Sequence, residues 1–377
     1  MSQVITFYSY KGGVGRTMAL ANTAVLLSRW GHKVLVVDWD LEAPGLEHFY
    51  KGEKDSNYIN IEEIALKPGV IDLLQLNGLT SWKDCLIEVK ITPADVPIHF
   101  ISSGKRDENY FKKVRSFDVE SFYANDGGEV IEQLRNEWLA SYDYVLIDSR
   151  TGITEIGGIC TIQLPDTVVM LFTATNQGFE GVLDIIQRAS AAQQKLSYDR
   201  QKLIFLPIPS KFETNTEFKL SQLWLETFAE KLQVTYNDWL PNSIDKKEFL
   251  ELTKIPYIAY FSFGEKLPVI EQGVKDPAGL GYAYETLAAL IANRLTNVEG
   301  LIVNREQYIA VINKNPSLEL EIKKNGNSSR DNNRRLQSLK QKFNVKGGNI
   351  KTEKSASAII DSIEKNIFPL LRIISSA

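Results

Sequence analysis

Cysteine and histidine are both scarce in this 377-residue chain, which has two of the first and three of the second. Cys85 and Cys160 stand far apart and in no metal-ligand spacing, which excludes a disulfide framework and argues against a zinc module. Both are expected to be reduced packing residues. Long apolar runs are also missing: none approaches the roughly 20 residues that a membrane-spanning helix needs. The opening residues MSQVITFYSY carry neither the basic start nor the cleavage site of a secretory signal, so a cytoplasmic location is expected. With 44% hydrophobic and 24% charged residues the composition is that of an ordinary globular protein, neither collagen-like nor wholly disordered. No internal repeat is evident.

The small net charge of −4 hides an asymmetry. Residues 301–377 hold 14 Lys and Arg against 7 Asp and Glu, whereas residues 1–300 hold 29 against 40. The two parts are expected to meet different partners.

Short β-branched runs recur along the first 260 residues, at 4–8, 33–37, 98–102, 144–147, 167–172, 203–206 and 255–260. They read as buried strands of a parallel sheet. Helix-length segments at 17–30, 128–139, 178–196 and 217–232 lie between them, and alternation of this kind predicts an α/β fold, an open, mostly parallel twisted sheet with helices on both faces. Such sheets bind ligands at the carboxyl ends of their strands. The first helix, TMALANTAVLLSRW, is apolar nearly all round and must be buried. Residues 41–97 and 104–127 are insertions longer than a minimal unit needs, and the segment 279–297 reads as a further helix closing the core. The predicted division is a domain over 1–298 and a basic extension over 299–377, whose stretches 325–335 and 346–357 have the composition of linkers.

Chemistry concentrates first in VITFYSYKGGVGRT, a strand running into a glycine-rich turn and then a helix. Gly12, Gly13 and Gly15 let successive backbone N–H groups point inward, and the helix amino end adds partial positive charge. That is a cradle for phosphate. The common pattern, Gly, four residues, then Gly-Lys-Ser/Thr, fails twice, since Tyr10 takes the first glycine position and Arg16 the lysine position. Asp38 and Asp40 follow the second strand (KVLVVDWDLEAPG) and Asp148 ends another (YDYVLIDSRTG), so all three are placed to converge on Thr17 at one sheet edge. Carboxylates beside a phosphate cradle repel its ligand unless a cation intervenes, which points to Mg²⁺. Taken singly, each aspartate also reads as a strand-end cap.

The runs YSYKGGVGRTMALAN, VVDWDLEAPG and VLIDSRTGITEIGG resemble the ParA/MinD-type deviant Walker-A P-loop ATPases, and within them the group in which KGGVGR replaces KGGVGK; the resemblance covers about residues 1–298. It implies ATP and Mg²⁺ as cofactors, bound by Lys11, Gly12, Gly13, Val14, Gly15, Arg16, Thr17 and Met18. Lys11 then reaches across an ATP-dependent homodimer to the partner's phosphates. Thr17, Asp38 and Asp148 match the metal site, and Asp40 matches the residue that orients the attacking water. Residues 40–46 correspond to a first switch and 149–157 to a second, in which Ser149, Arg150, Thr151 and Gly152 lie where the γ-phosphate is sensed; Arg150 reads equally as a structural salt bridge. Adenine contacts are expected after the late strands, at Pro207, Pro209, Ser210 and Pro256, where the prolines read equally as strand terminators.

Two departures bear on turnover. Arg16 is a broad planar fork and not a compact ammonium, so charge is kept but transition-state geometry changes; Met18 replaces a hydroxyl residue. Slow hydrolysis by Lys11, Arg16 and Asp40 is expected. The leading reading is an ATP-controlled dimerisation switch acting on a protein effector or neighbouring-gene product. A nucleotide-locked assembly scaffold and a ParA-like DNA partition or positioning ATPase are the alternatives, and the resemblance extends to members found in bacterial antiphage defence loci. In the extension, Arg334, Arg335, Lys340 and Lys342 mark either a nucleic-acid footprint or a solvated face. The stripe Ile359, Ile360, Ile363 and Ile367 is interrupted at Pro369 with only Lys365 and Arg372 nearby, which disfavours membrane attachment and favours docking on protein.

Overall fold

The computed structural model describes residues 2–51, 61–75, 80–91, 96–152, 158–194, 201–213 and 217–312. Seven strands form one sheet: β1 (Gln3–Tyr8), β2 (Val34–Asp38), β3 (Ile87–Val89), β4 (Ile98–Ile101), β5 (Tyr144–Asp148), β6 (Thr167–Phe172) and β7 (Ile204–Pro209). Their order is β3-β4-β2-β5-β1-β6-β7, and every pairing is parallel except β3 with β4. Strands β1, β2, β5 and β6 are buried almost throughout, as near-continuous Val, Ile and Leu runs require when both faces are covered.

Six of the seven predicted strands are present. The seventh, at 255–260, is not: its backbone makes a single bridge, Phe212 to Pro256, and then enters a 3₁₀ turn at Ala259–Ser262. The physical reason lies in β7, whose outward edge is already closed. Pro207 and Pro209 have no N–H to offer there. The neighbouring carbonyls are taken by Trp239 Nε1 on Phe205 (3.0 Å), Tyr236 OH on Pro207 (3.2 Å) and Ile255 N on Pro209 (2.8 Å).

The helix Arg16–Arg29 is buried along most of its length between the sheet and the helix Leu280–Ala292. Asn22 is spent internally: its Nδ2 donates to Met18 O (2.8 Å), while its Oδ1 accepts Val269 N (3.1 Å) and ties down the segment before that second helix. The insertions carry the helices Ile61–Leu66, Val70–Leu73, Tyr110–Ser116 and Val119–Ala124 together with β3. Helices Val298–Val303 and Arg305–Ile312 run on past the boundary expected at 298; the second packs against Leu280–Ala292 and the first against the second. There Arg305 Nη2 pairs with Glu285 Oε2 at 2.8 Å, and its Nε donates to Thr286 Oγ1 at 2.9 Å. The basic residues 334–342, the stripe 359–367 and residues 153–157 of the second switch lie outside the described residues.

Candidate nucleotide site

The turn between β1 and the first helix is built on left-handed backbone at Gly13 (φ 75°) and Gly15 (φ 87°), which a side chain would strain. Ser210 steadies it from the end of β7, its Oγ donating to Val14 O at 2.7 Å. Above the turn lies a cavity of about 420 Å³, in the size range of small-molecule sites. Gly13, Val14, Gly15, Arg16, Thr17 and Met18 line it from the turn, Asp40 and Asp148 from strand ends, Thr151 from the segment after β5, and Ser210 and Pro256 from the far side.

Register explains the carboxylates. Asp38 and Asp148 are direct partners across β2 and β5, so their side chains leave the sheet on the same side. Arg16, only 6% exposed, is driven between Asp148 and Asp40: its Nε reaches Asp148 Oδ1 at 2.6 Å and its Nη2 reaches Asp40 Oδ2 at 3.2 Å. Thr17 Oγ1 donates to the other Asp148 oxygen at 2.8 Å. Arg16 Nη1 is buried and has no hydrogen-bond partner among the described residues, and the same holds for Ser9 Oγ on the cavity wall.

Burial disfavours the Arg16 charge, but Asp148 and then Asp40 outweigh it and hold the guanidinium above its ordinary pKa. Asp148 is raised by burial although Arg16 pulls it down. Asp38 is raised well above the carboxylate range by burial, reinforced by Asp148, Glu47 and Asp40. Fully buried, Asp38 does not line the cavity; its oxygens accept Asp40 N (3.1 Å), Gly45 N (3.3 Å) and Leu46 N (3.4 Å). It stands behind the site as the brace of the following turn.

Other sequence-predicted residues fall elsewhere. Lys11 is exposed, outside the cavity, and donates to Gln177 Oε1; Gly12 is also outside. Pro207 and Pro209, expected at the base, lie in the edge strand, Pro209 as its last residue, and do not line the cavity. Arg150 pairs with Glu42, joining the segments after β5 and β2, and does not line the cavity. Ser149 is buried with its Oγ on Arg150 O (3.2 Å), and Gly152 is tied to the turn strand by its N–H on Ser9 O (3.3 Å). Cys85 and Cys160 are buried and unbridged, as expected. Sequence reasoning missed Ser9, Lys211, Tyr257, Phe261 and Tyr284 on the cavity wall. Ser9 sat within the quoted motif and Lys211 beside Ser210, but nothing local marks the three aromatics.

A seven-stranded, mostly parallel sheet with this turn and these strand-end aspartates on one edge is the fold of the ParA/MinD-type P-loop ATPases. The AAA domain family model AAA_31 matches residues 2–202, more than half of the chain, and the chain belongs to that family. An uncharacterized ATP-binding protein of Methanocaldococcus jannaschii is 24% identical over 273 residues, 67% of this chain and 86% of that protein. The septum site-determining protein MinD of Helicobacter pylori is 29% identical over 154 residues; the match spans 41% of this chain and 46%, less than half, of that protein. The solved structure of septum site-determining MinD from Pyrococcus horikoshii OT3, complexed with Mg-ADP, aligns over 80% of this chain and 99% of that chain at 18% identity and a TM-score of 0.48. No helix among the described residues is long and apolar enough to cross a membrane.

Proposed function

We propose that the chain binds Mg²⁺·ATP over the turn 11–17, hydrolyses it slowly, and alternates between a monomer and a nucleotide-sandwich homodimer that presents a surface to a protein effector. The observation that carries the reading is the Arg16 guanidinium, buried at the cavity wall with an unused donor and restrained by the two carboxylates on which the chemistry depends. A phosphate oxygen is the acceptor such a fork lacks.

The donor set fits Mg²⁺. Asp40 and Asp148 share one cation, Arg16, which leaves an excess of negative charge. Thr17 Oγ1 and Asp148 supply adjacent hard oxygens. When bound, the ion neutralises phosphate charge. The chain's own part is to move Arg16 from the carboxylates to the phosphates, which frees Asp40 to orient water, and to release Lys11 from Gln177 so that it can reach a partner subunit. The base is proposed to lie against Pro256, Tyr257 and Phe261, and the setting in a defence system is carried over from the sequence resemblance.

A nucleotide-locked scaffold is the second reading, favoured by the Arg16–Asp40 pair, which withholds the water-orienting carboxylate. Mass in solution with and without Mg²⁺·ATP, read with phosphate release, separates the two. A dimer that needs ATP, persists in Asp40→Ala and disappears in Lys11→Ala supports the switch. The same dimer without phosphate release supports the scaffold, and unchanged mass without nucleotide binding sinks both.

A further inference from the structure

We infer that the insertion segment 104–116 supports the reaction at one remove, with Arg106 and Tyr110 as positioning residues for Asp38 and Asp40. Its consequence for turnover rests on the ATPase reading; the positional claim stands without it.

Both carboxylates are oriented by one turn. Asp40 Oδ1 accepts Ala43 N at 3.2 Å, and Asp38 Oδ2 accepts Gly45 N and Leu46 N. The outer side of that turn is held by the insertion. Tyr110, 1% exposed, donates its hydroxyl to Leu41 O at 2.7 Å, and Arg106 Nη2 pairs with Glu47 Oε1 at 2.7 Å. The Arg106 guanidinium also lies over the Tyr110 ring, 5.2 Å from its centroid, so the two contacts brace each other.

The brace is itself anchored to the sheet. Val70 N and Ile71 N donate to Ser102 O and Ser103 O at the end of β4, both at 2.9 Å. Asp72, one residue on, accepts Lys105 N (3.2 Å) and Lys113 Nζ (2.8 Å), and Arg106 N donates to Ala65 O (3.0 Å). A Cβ at Gly104 would lie 2.4 Å from Ile71 Cγ2, so the loop sits tight on this support. An unbroken set of contacts therefore runs from β4 through the insertion to the turn that orients the two aspartates.

The seam between turn and insertion is also under-satisfied. Trp39 Nε1, Glu47 Oε2, Tyr50 OH, Ser102 Oγ and Arg106 Nε are all buried with no partner among the described residues. Unpaired buried polar groups cost free energy, so few contacts hold this seam together, and the turn depends on Arg106 and Tyr110 to keep the position seen here.

The test compares Tyr110→Phe, Arg106→Gln and Arg106→Lys with the wild type. In nucleotide-free protein, amide exchange over residues 41–50 is expected to quicken about tenfold in Tyr110→Phe and Arg106→Gln, the scale of one lost buried hydrogen bond, with β1 and β5 unchanged and Arg106→Lys restoring most of the protection. With Mg²⁺·ATP, kcat is expected to fall about tenfold while KM stays within about twofold. Exchange at 41–50 equal to wild type, exchange that quickens throughout the chain, or a rise in KM with kcat unchanged overturns the inference. A wild type that turns over no ATP overturns the ATPase reading, and the nucleotide-free exchange comparison then decides the positional claim by itself.

Discussion

Arginine at position 16 makes a contact that lysine cannot. A planar fork reaches Asp148 through Nε and Asp40 through Nη2 at once, whereas one ammonium on a flexible stem has no such span. Arg16→Lys is therefore expected to release Asp40 and to lower the stability of the nucleotide-free protein by about 1–2 kcal/mol, read by urea unfolding, without raising the rate of phosphate release. A variant as stable as the wild type would show that the bridge to Asp40 contributes nothing. At this scale the sequence was legible where chemistry is local. Asp40, Asp148 and Thr17 were placed by their positions at strand and helix ends, and they do meet. Asp38 was placed at the right strand end and stands one layer behind the cavity, because whether a strand-end carboxylate faces a ligand or braces the next turn depends on backbone N–H groups seven and eight residues on. Lys11 was legible as a motif lysine; its bond to Gln177 spans 166 positions, and no sequence pattern carries that.

Among the elements, periodicity and β-branching placed six strands and the first helix to within a residue or two at most ends. Two things resisted. The three-residue β3 alternates buried and exposed residues and runs antiparallel at the edge, too short a signal to separate from the loops around it. The run at 255–260 has a strand's composition but pairs only at its start, through Ile255 and the Phe212–Pro256 bridge, because Trp239 and Tyr236 already hold the carbonyls of Phe205 and Pro207. The boundary predicted at 298 assigns the helices Val298–Val303 and Arg305–Ile312 to the basic extension, yet their buried apolar side chains and Arg305 dock them on the core. Arg305 and Glu285 are both nearly inaccessible, and burial lifts the Glu285 pKa although Arg305 opposes it. Arg305→Ala leaves Glu285 buried without its cation, so a loss of about 3 kcal/mol is expected in denaturant unfolding. A loss below about 1 kcal/mol, the scale of an exposed pair, would mean that the helix Arg305–Ile312 is detachable.

For the whole molecule, a ligand that binds only the folded state raises stability by mass action, about 2.7 kcal/mol at a hundredfold excess over Kd. Saturating Mg²⁺·ATP is accordingly expected to shift the thermal midpoint upward, and Thr17→Ala, which removes one hard oxygen beside Asp148, to reduce that shift; an equal shift in both would place the ion elsewhere. The last consequence comes from the closed rim of the sheet at β7. Prolines without N–H groups at 207 and 209, and donors already on the carbonyls of Phe205, Pro207 and Pro209, break the ladder that an extended peptide would need on that side. Recruitment by borrowed backbone is disfavoured along this flank. Whatever the protein assembles with must read its loops and helices, and crowding should not turn this flank into a template for fibres.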